Sequence, residues 1–311
     1  MRWLAVVCPG RSDRDRHEIC IGQWVIMGSM GQHYVPQYYL EGFCDPSKPA
    51  NIWVYEKGRQ DSRRIPVKAV ASENDRWPSG TEQYLANEVE GPANPILRKI
   101  RARRTITRSD REILSAYMVV MLKRVPRGLE RTKSLFPQIL EDTFARVEND
   151  IRRLIKEHPS KTRSLEAALL QLPSIKERYA NEFPTNVWYD GLKPDMTPQL
   201  LAILPAMTWR FLTSDRGQPF LTNDNPLFFF ESMGMGKPES EIMFPISSSI
   251  ALLGTWQKNL VEGYFHATEP IIKEINRRTA CNASRYVYYS QEAAWVVSLV
   301  NRKTWRLNKI R

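Results

Sequence analysis

The hydrophobic period of this 311-residue chain changes once, and that change restricts the fold more than any single motif. In "FPQILEDTFARVENDIRRLIKEHPS", Phe136, Leu140, Phe144, Val147, Ile151 and Leu154 fall three or four apart, the spacing of a long amphipathic helix packed on one side. "SDREILSAYMVVMLKRVPRG" predicts another helix, capped by Ser109, acidic in its first turn, basic in its last and stopped at Pro126. Upstream, Leu85, Val89, Ile96, Leu97 and Ile100 form a helical stripe behind a Thr81 cap, which Gly91, Pro92 and Pro95 are expected to break. From about 81 to 205 the pattern is helical.

After that the runs shorten. "MTWRFLTS", "QPFLTN", "PLFFF", "EIMFPI", "SIALLGTW", "SRYVYYS" and "AAWVVSLV" are apolar or aromatic and separated by Gly, Pro, Asp and Asn, which predicts antiparallel strands over about 206–300 with one helix at 267–283. A smaller hairpin is expected from "NIWVYEKG" and "IPVKAV". The class is α+β: a central helical region followed by a mainly antiparallel sheet, segregated along the chain. At 42% apolar composition, residues 31–311 have enough material for a single α+β domain. Residues 1–30 lack any period and read as a weakly ordered N-terminal extension, with Met27 and Met30 as alternative functional starts. Intact-mass measurement of the natively expressed protein tests this, and a segment that is always present refutes it.

Lys and Arg outnumber Asp and Glu 45 to 34, a formal charge of +11 that favours polyanionic partners, RNA or DNA. The four cysteines, Cys8, Cys20, Cys44 and Cys281, show no metal-binding spacing. The opening lacks a secretory pattern and no apolar run is long enough to cross a bilayer, so a cytoplasmic protein without a membrane partner is expected. Phosphate-loop, dinucleotide-binding, zinc-protease and serine-elbow motifs are all missing from the sequence.

Two short stretches have unusual chemistry. In "QHYVPQYYLEGF", Pro36 is suited to open a short helix and Gly42 to follow its end, with Tyr39 and Phe43 on one side. His33 then sits just before a helix start, where unpaired N–H groups favour a neutral imidazole able to act as a general base or to contact phosphate. In "PFLTNDNPLFFF", Asp224 and Asn225 lie at a strand end, either building the turn or presenting polar groups to a site. Glu88 and Glu90 are alternative acidic partners, and Asp224 with Glu88 would supply oxygen ligands suited to Mg²⁺ or Mn²⁺. The run "RKIRARRTITRSDR" is expected to project Arg101, Arg104 and Arg108 from one exposed helix side toward a phosphate backbone. Each feature has a bland counterpart: a histidine bonded to a backbone carbonyl, a self-bonded turn, a solvated helix face.

"HYVPQYYLEGF", "IWVYEKG" and "FLTNDNP", in that order, resemble the bacterial and fungal family called domain of unknown function 4238. The matching residues are His33, Tyr34, Val35, Pro36, Gln37, Tyr39, Leu40 and Phe43, then Phe220, Thr222, Asp224, Asn225 and Pro226, with Asn223 where the family usually has serine. The resemblance runs from residue 31 to the early 290s and carries no activity with it. Three functions stay open. The first is a phosphodiester hydrolase with His33 and Asp224 catalytic, Gln37 and Asn225 positioning substrate and the arginines holding the strand. The second is a nonenzymatic nucleic-acid- or protein-binding module, and the third a small-molecule pocket enzyme.

Overall fold

The computed structural model describes residues 31–74, 76–181, 183–214 and 218–310. The expected N-terminal extension, and Cys8, Cys20 and His17 within it, lie outside the described residues. Gly31–Arg311 clusters as one unit.

The first elements are β1 (Gln32–His33), α1 (Gln37–Leu40), β2 (Asn51–Glu56), β3 (Ser62–Pro66) and β4 (Ser72–Glu73). β1 pairs with β4, and β2 with β3. The helical region follows as α2 (Ser79–Tyr84), α3 (Gly91–Arg101), α4 (Arg108–Arg124), α5 (Pro126–Glu157), α6 (Thr162–Asn181), α7 (Thr185–Gly191) and α8 (Pro198–Ala206). α4 supplies the centre of the main core, with Leu114, Met118, Val119 and Val120 at most 1% exposed. Its apolar residues lie on several sides of the helix, and burial on several sides is what such a pattern requires.

Three local expectations change. Thr107, not Ser109, caps α4, because its hydroxyl accepts from the Asp110 N–H while the Asp110 carboxylate accepts from the Thr107 N–H, a reciprocal capping box. The expected break near Gly91 is instead a π-helical turn, Leu85–Glu90, running into α3. Widening the turn there carries the chain past Pro92, which lacks an N–H, without a loop. Gly42 does not follow a helix end: residues Glu41–Phe43 continue as a 3₁₀ turn, and a Cβ on Gly42 would lie 2.7 Å from the Arg101 guanidinium and 2.8 Å from the Ile246 carbonyl. Close approach, not backbone freedom, requires glycine there.

The sheet region contains β5 (Thr208–Thr213), β6 (Thr222–Asn223), β7 (Phe228–Phe229), β8 (Glu241–Ser247), β9 (Ile250–Thr255), β10 (Gly263–His266) and β11 (Tyr286–Tyr289), with α9 (Glu269–Asn282) before β11 and α10 (Ala294–Val300) after it. A five-stranded sheet runs β10-β5-β9-β8-β7, and a four-stranded sheet runs β3-β2-β11-β6. Pairing is antiparallel except between β10 and β5. "AAWVVSLV", expected as a strand, is α10, whose two buried residues, Val296 and Val300, stand four apart on one helical face. The fold is α+β, a central helical region followed by mainly antiparallel sheet, with the earlier β2–β3 hairpin joined to that sheet by β11.

Candidate functional site

The two unusual stretches meet inside the molecule. Tyr39, fully buried on α1, donates its hydroxyl to the Pro245 carbonyl and lies 2.7 Å from the Thr222 hydroxyl of β6. Its ring stacks on Phe244 and tilts against Phe43, with centroids 5.2 and 5.5 Å away. Burial raises the phenol pKa, so the hydroxyl stays protonated and available as a donor.

His33 is half-buried, and its Nε2 lies 3.0 Å from the Lys68 carbonyl. A carbonyl only accepts, so Nε2 is the donor in that contact. The Gln37 amide nitrogen lies 3.1 Å from the same ring nitrogen, which gives Gln37 the part of a neighbour to His33. The His33 carbonyl accepts from Arg124, which is 1% exposed and also donates from Nη1 to Glu90 Oε1 at 2.6 Å. Of the two glutamates in "NEVEG", Glu90 is therefore the one turned inward and Glu88 is exposed.

Asp224 is buried, and its carboxylate accepts three backbone N–H groups: Ser284 at 2.7 Å, Arg285 at 2.7 Å and Tyr286 at 2.9 Å. Burial raises its pKa, and the three N–H groups and Lys57 oppose that shift. The carboxylate thus fixes the start of β11. The Asn225 side chain is held on one side only, its amide nitrogen donating to the carbonyl and side-chain oxygen of Asn282 at 3.0 and 3.1 Å while its buried Oδ1 has no partner among the described residues. No hydrogen bond or ion pair joins His33 to Asp224 among the described residues. Nor do three or more His, Cys, Asp or Glu side chains gather as a metal site there, and Glu88 and Asp224 do not form a donor pair, one being exposed and the other held by backbone.

Arg101 departs from its expected exposed position. Its guanidinium turns inward to the carbonyls of Tyr38 and Tyr39, each at 3.0 Å, and of Ile246 at 3.3 Å, stacking over Tyr38. Glycine at position 42 leaves the space that makes this route available. Arg104 and Arg108 are exposed, Arg108 pairing with Glu112 at 3.1 Å and Arg104 having no ion-pair partner among the described residues. Nearby Lys99 binds the buried Asp110 at 2.9 Å, so the run is only partly a free cationic surface.

Beside this run opens a cleft of about 890 Å³, between the first turn of α4, α8, β5 and β10. On its floor Tyr264 stacks on Phe211 with centroids 4.9 Å apart, and Arg111 lies 4.7 Å over Trp209. Glu262 accepts from the Trp209 N–H at 2.9 Å and pairs with Arg111. The Tyr264 hydroxyl donates to the Arg104 carbonyl at 2.9 Å, tying the basic loop to the aromatic floor. Burial pushes that phenol up to about 12. A smaller cavity of about 390 Å³ borders Asn282 and Ser284, with Arg127 and Glu231 on its wall already paired with each other.

The family described as "Protein of unknown function (DUF4238)" matches residues 31–293. The chain belongs to that family. No curated protein and no solved structure matches it. The DUF4238 region takes in both stretches, the cleft and the whole of α9, and leaves α10 and the tail beyond it.

α9 is what the motif reading misses. Asn276 accepts from the Leu221 N–H at 2.9 Å, the Thr279 carbonyl accepts from Asn223, and Asn282 donates to the Leu227 carbonyl at 3.1 Å. Three residues spaced three apart in the C-terminal half of this helix thus fasten the 221–227 segment. Part of the signal is in "INRRTACN", where Asn276, buried beside apolar Ile272 and Ile275, needs partners that a helix does not supply, whereas the Thr279 hydroxyl donates to the Ile275 carbonyl of its own helix. Asn223 donates its amide to the Thr279 carbonyl and accepts from the Asn225 N–H at 2.9 Å. An amide has both capacities at that reach.

Proposed function

We propose that this DUF4238 protein is a nonenzymatic nucleic-acid-binding module of the cytoplasm, contacting RNA or DNA through the basic segment 98–108. The observation that carries the reading is the exposure of Arg98 and Arg104 without acidic partners among the described residues, in a chain of net charge +11. Unpaired surface guanidinium groups are free to displace counterions from a phosphate backbone. The hydrolase reading asks His33 to act as base and Asp224 to orient it or to hold a metal. Their side chains are instead engaged by backbone groups in separate contacts. Of the residues expected to position substrate, Gln37 lies against the His33 ring and Asn225 donates its amide to Asn282.

The test is fluorescence anisotropy of a labelled oligonucleotide with the full chain between about 50 and about 200 mM salt. With Arg98 and Arg104 each contacting one phosphate, log affinity is expected to fall with log salt at a slope of about −1.4 on a single strand. The double variant Arg98→Glu/Arg104→Glu is expected to weaken binding and flatten that slope by about 0.7 per lost contact. Absence of salt-dependent binding refutes the module. Degradation of the same oligonucleotide that His33→Ala abolishes would restore the hydrolase reading.

A further inference from the structure

Resting on that reading, we infer that the cleft between α4, α8, β5 and β10 is a stacking pocket for one unpaired nucleobase, so that the strand bound along the basic segment is single-stranded. The charge inside the cleft decides between base and phosphate. Arg111 is neutralised by Glu262 and Arg108 by Glu112, leaving two cations matched by two anions, whereas Arg104 just outside has no ion-pair partner among the described residues. A phosphate gains little in a neutral, partly apolar cleft and much at an unpaired guanidinium. An uncharged heterocycle gains the opposite way.

The walls suit a flat ring. Phe211 is 4% exposed beneath Tyr264, so the half-buried phenol has one face covered and lines the cleft with the rest. Its hydroxyl bond to the Arg104 carbonyl fixes the ring plane and sets the basic loop beside it. Opposite, α8 presents Ala202 and Ala206, one turn apart and both exposed, which leaves the space between helix and ring open. The volume of about 890 Å³ lies within the range of ligand-binding clefts. The Arg111 guanidinium and the exposed Glu262 carboxylate, which also line the cleft, offer a donor and an acceptor to the edge of a base, and these are already oriented by each other and by the Trp209 N–H. A base inside a duplex is stacked on both faces and paired at its edge, so it enters only after unpairing and unstacking, a cost that an unpaired base does not bear.

The experiment compares three labelled DNA probes of one length on the full chain: a single strand, the same strand annealed to its complement, and a strand of abasic sites with intact phosphates. The wild type is expected to bind the single strand about tenfold more tightly than the abasic strand, the increment of one stacked base. Ala206→Trp, which fills the cleft, should reduce single-strand affinity to the abasic level. Ala202→Phe fills the same cleft from the neighbouring turn and guards against misfolding of the first variant, with circular dichroism melting as the check. Equal binding of single and abasic strands by the wild type overturns the pocket and leaves the basic module standing. Retention of the tenfold preference in both filled variants, correctly folded, also overturns it. Failure of all three probes to bind refutes the module itself, and the pocket falls with it.

Discussion

Tyr39 and Thr222 lie 183 positions apart in sequence and 2.7 Å apart hydroxyl to hydroxyl. Since Tyr39 donates to the Pro245 carbonyl, Thr222 is the donor between the two hydroxyls. Tyr39→Phe and Thr222→Val each remove one member of this buried chain and are expected to cost about 1–3 kcal/mol. Losing the same contact twice costs less than the sum, so the double variant should show a coupling of about 1 kcal/mol in urea denaturation. Strict additivity would show that the two hydroxyls do not act together.

Arg124 is almost fully buried and holds both the Glu90 carboxylate and the His33 carbonyl, with its guanidinium 5.4 Å over the Trp77 ring. Arg124→Met removes one partner of an ion pair whose other member is mostly buried, and a loss of about 3–5 kcal/mol is expected. Adding Glu90→Gln should recover part of it, because no unpaired carboxylate then remains. The midpoint of chemical denaturation measures both. A single-variant loss under about 1 kcal/mol, the usual value of an exposed pair, would contradict the burial of this one.

Asp45 gives a pH-dependent prediction. The Ser47 hydroxyl and N–H, at 2.6 and 2.8 Å, with Arg64 at 3.2 Å, hold its carboxyl down to about 2. A folded pKa below the unfolded value of about 3.9 means that the native state binds the proton less tightly. The contribution is then full above the unfolded value and is lost as pH falls toward the folded one. Asp45→Asn is therefore expected to be less stable than wild type at pH 6, with the gap closing between about pH 4 and about pH 2. A gap that is constant with pH, read from thermal midpoints, would show that the charge makes no contribution.

Ile310 is 4% exposed and its N–H donates to Glu241 Oε1 at 3.1 Å, inside a buried cluster where Arg278 pairs with Glu241 at 2.7 Å and Glu274 at 3.4 Å. Ile310→Ala should cost about 2–4 kcal/mol through the cavity alone. Truncation after Leu307 should cost more, because it also strips the Asn308 and Ile310 N–H groups from buried carboxylates. If calorimetry finds the two changes equal, the tail contributes only its apolar side chain.

The α+β order, the long helices and most strands were legible because burial on one face imposes a period that a single sequence displays. α10 was not. Seven residues of mixed Ala, Trp, Val, Ser and Leu satisfy strand and helix patterns alike, and packing of Val296 and Val300 on one face, which sequence does not display, goes with the helix. Among the site residues, the unusual chemistry around His33 and Asp224 was visible, but not where their bonds go. A side chain satisfied by backbone, as Asp224 is by residues 284–286, has the same sequence as one aimed at a substrate. Arg101 illustrates the same limit, since its inward path depends on the space left by Gly42, 59 positions earlier in sequence and invisible to helical periodicity.

The four-stranded sheet sets β2 directly against β11, with Arg285 bonding Glu56 across 229 positions of chain. On a translating ribosome this edge of "NIWVYE" waits for its neighbour through roughly ten to fifty seconds of synthesis at ordinary elongation rates. Throughout that interval a strand rich in aromatic and β-branched side chains offers unpaired N–H and C=O groups to any other extended peptide nearby. The nascent chain is therefore most exposed to misassembly in its first third, and a chaperone that masks extended apolar segments would act there to greatest effect.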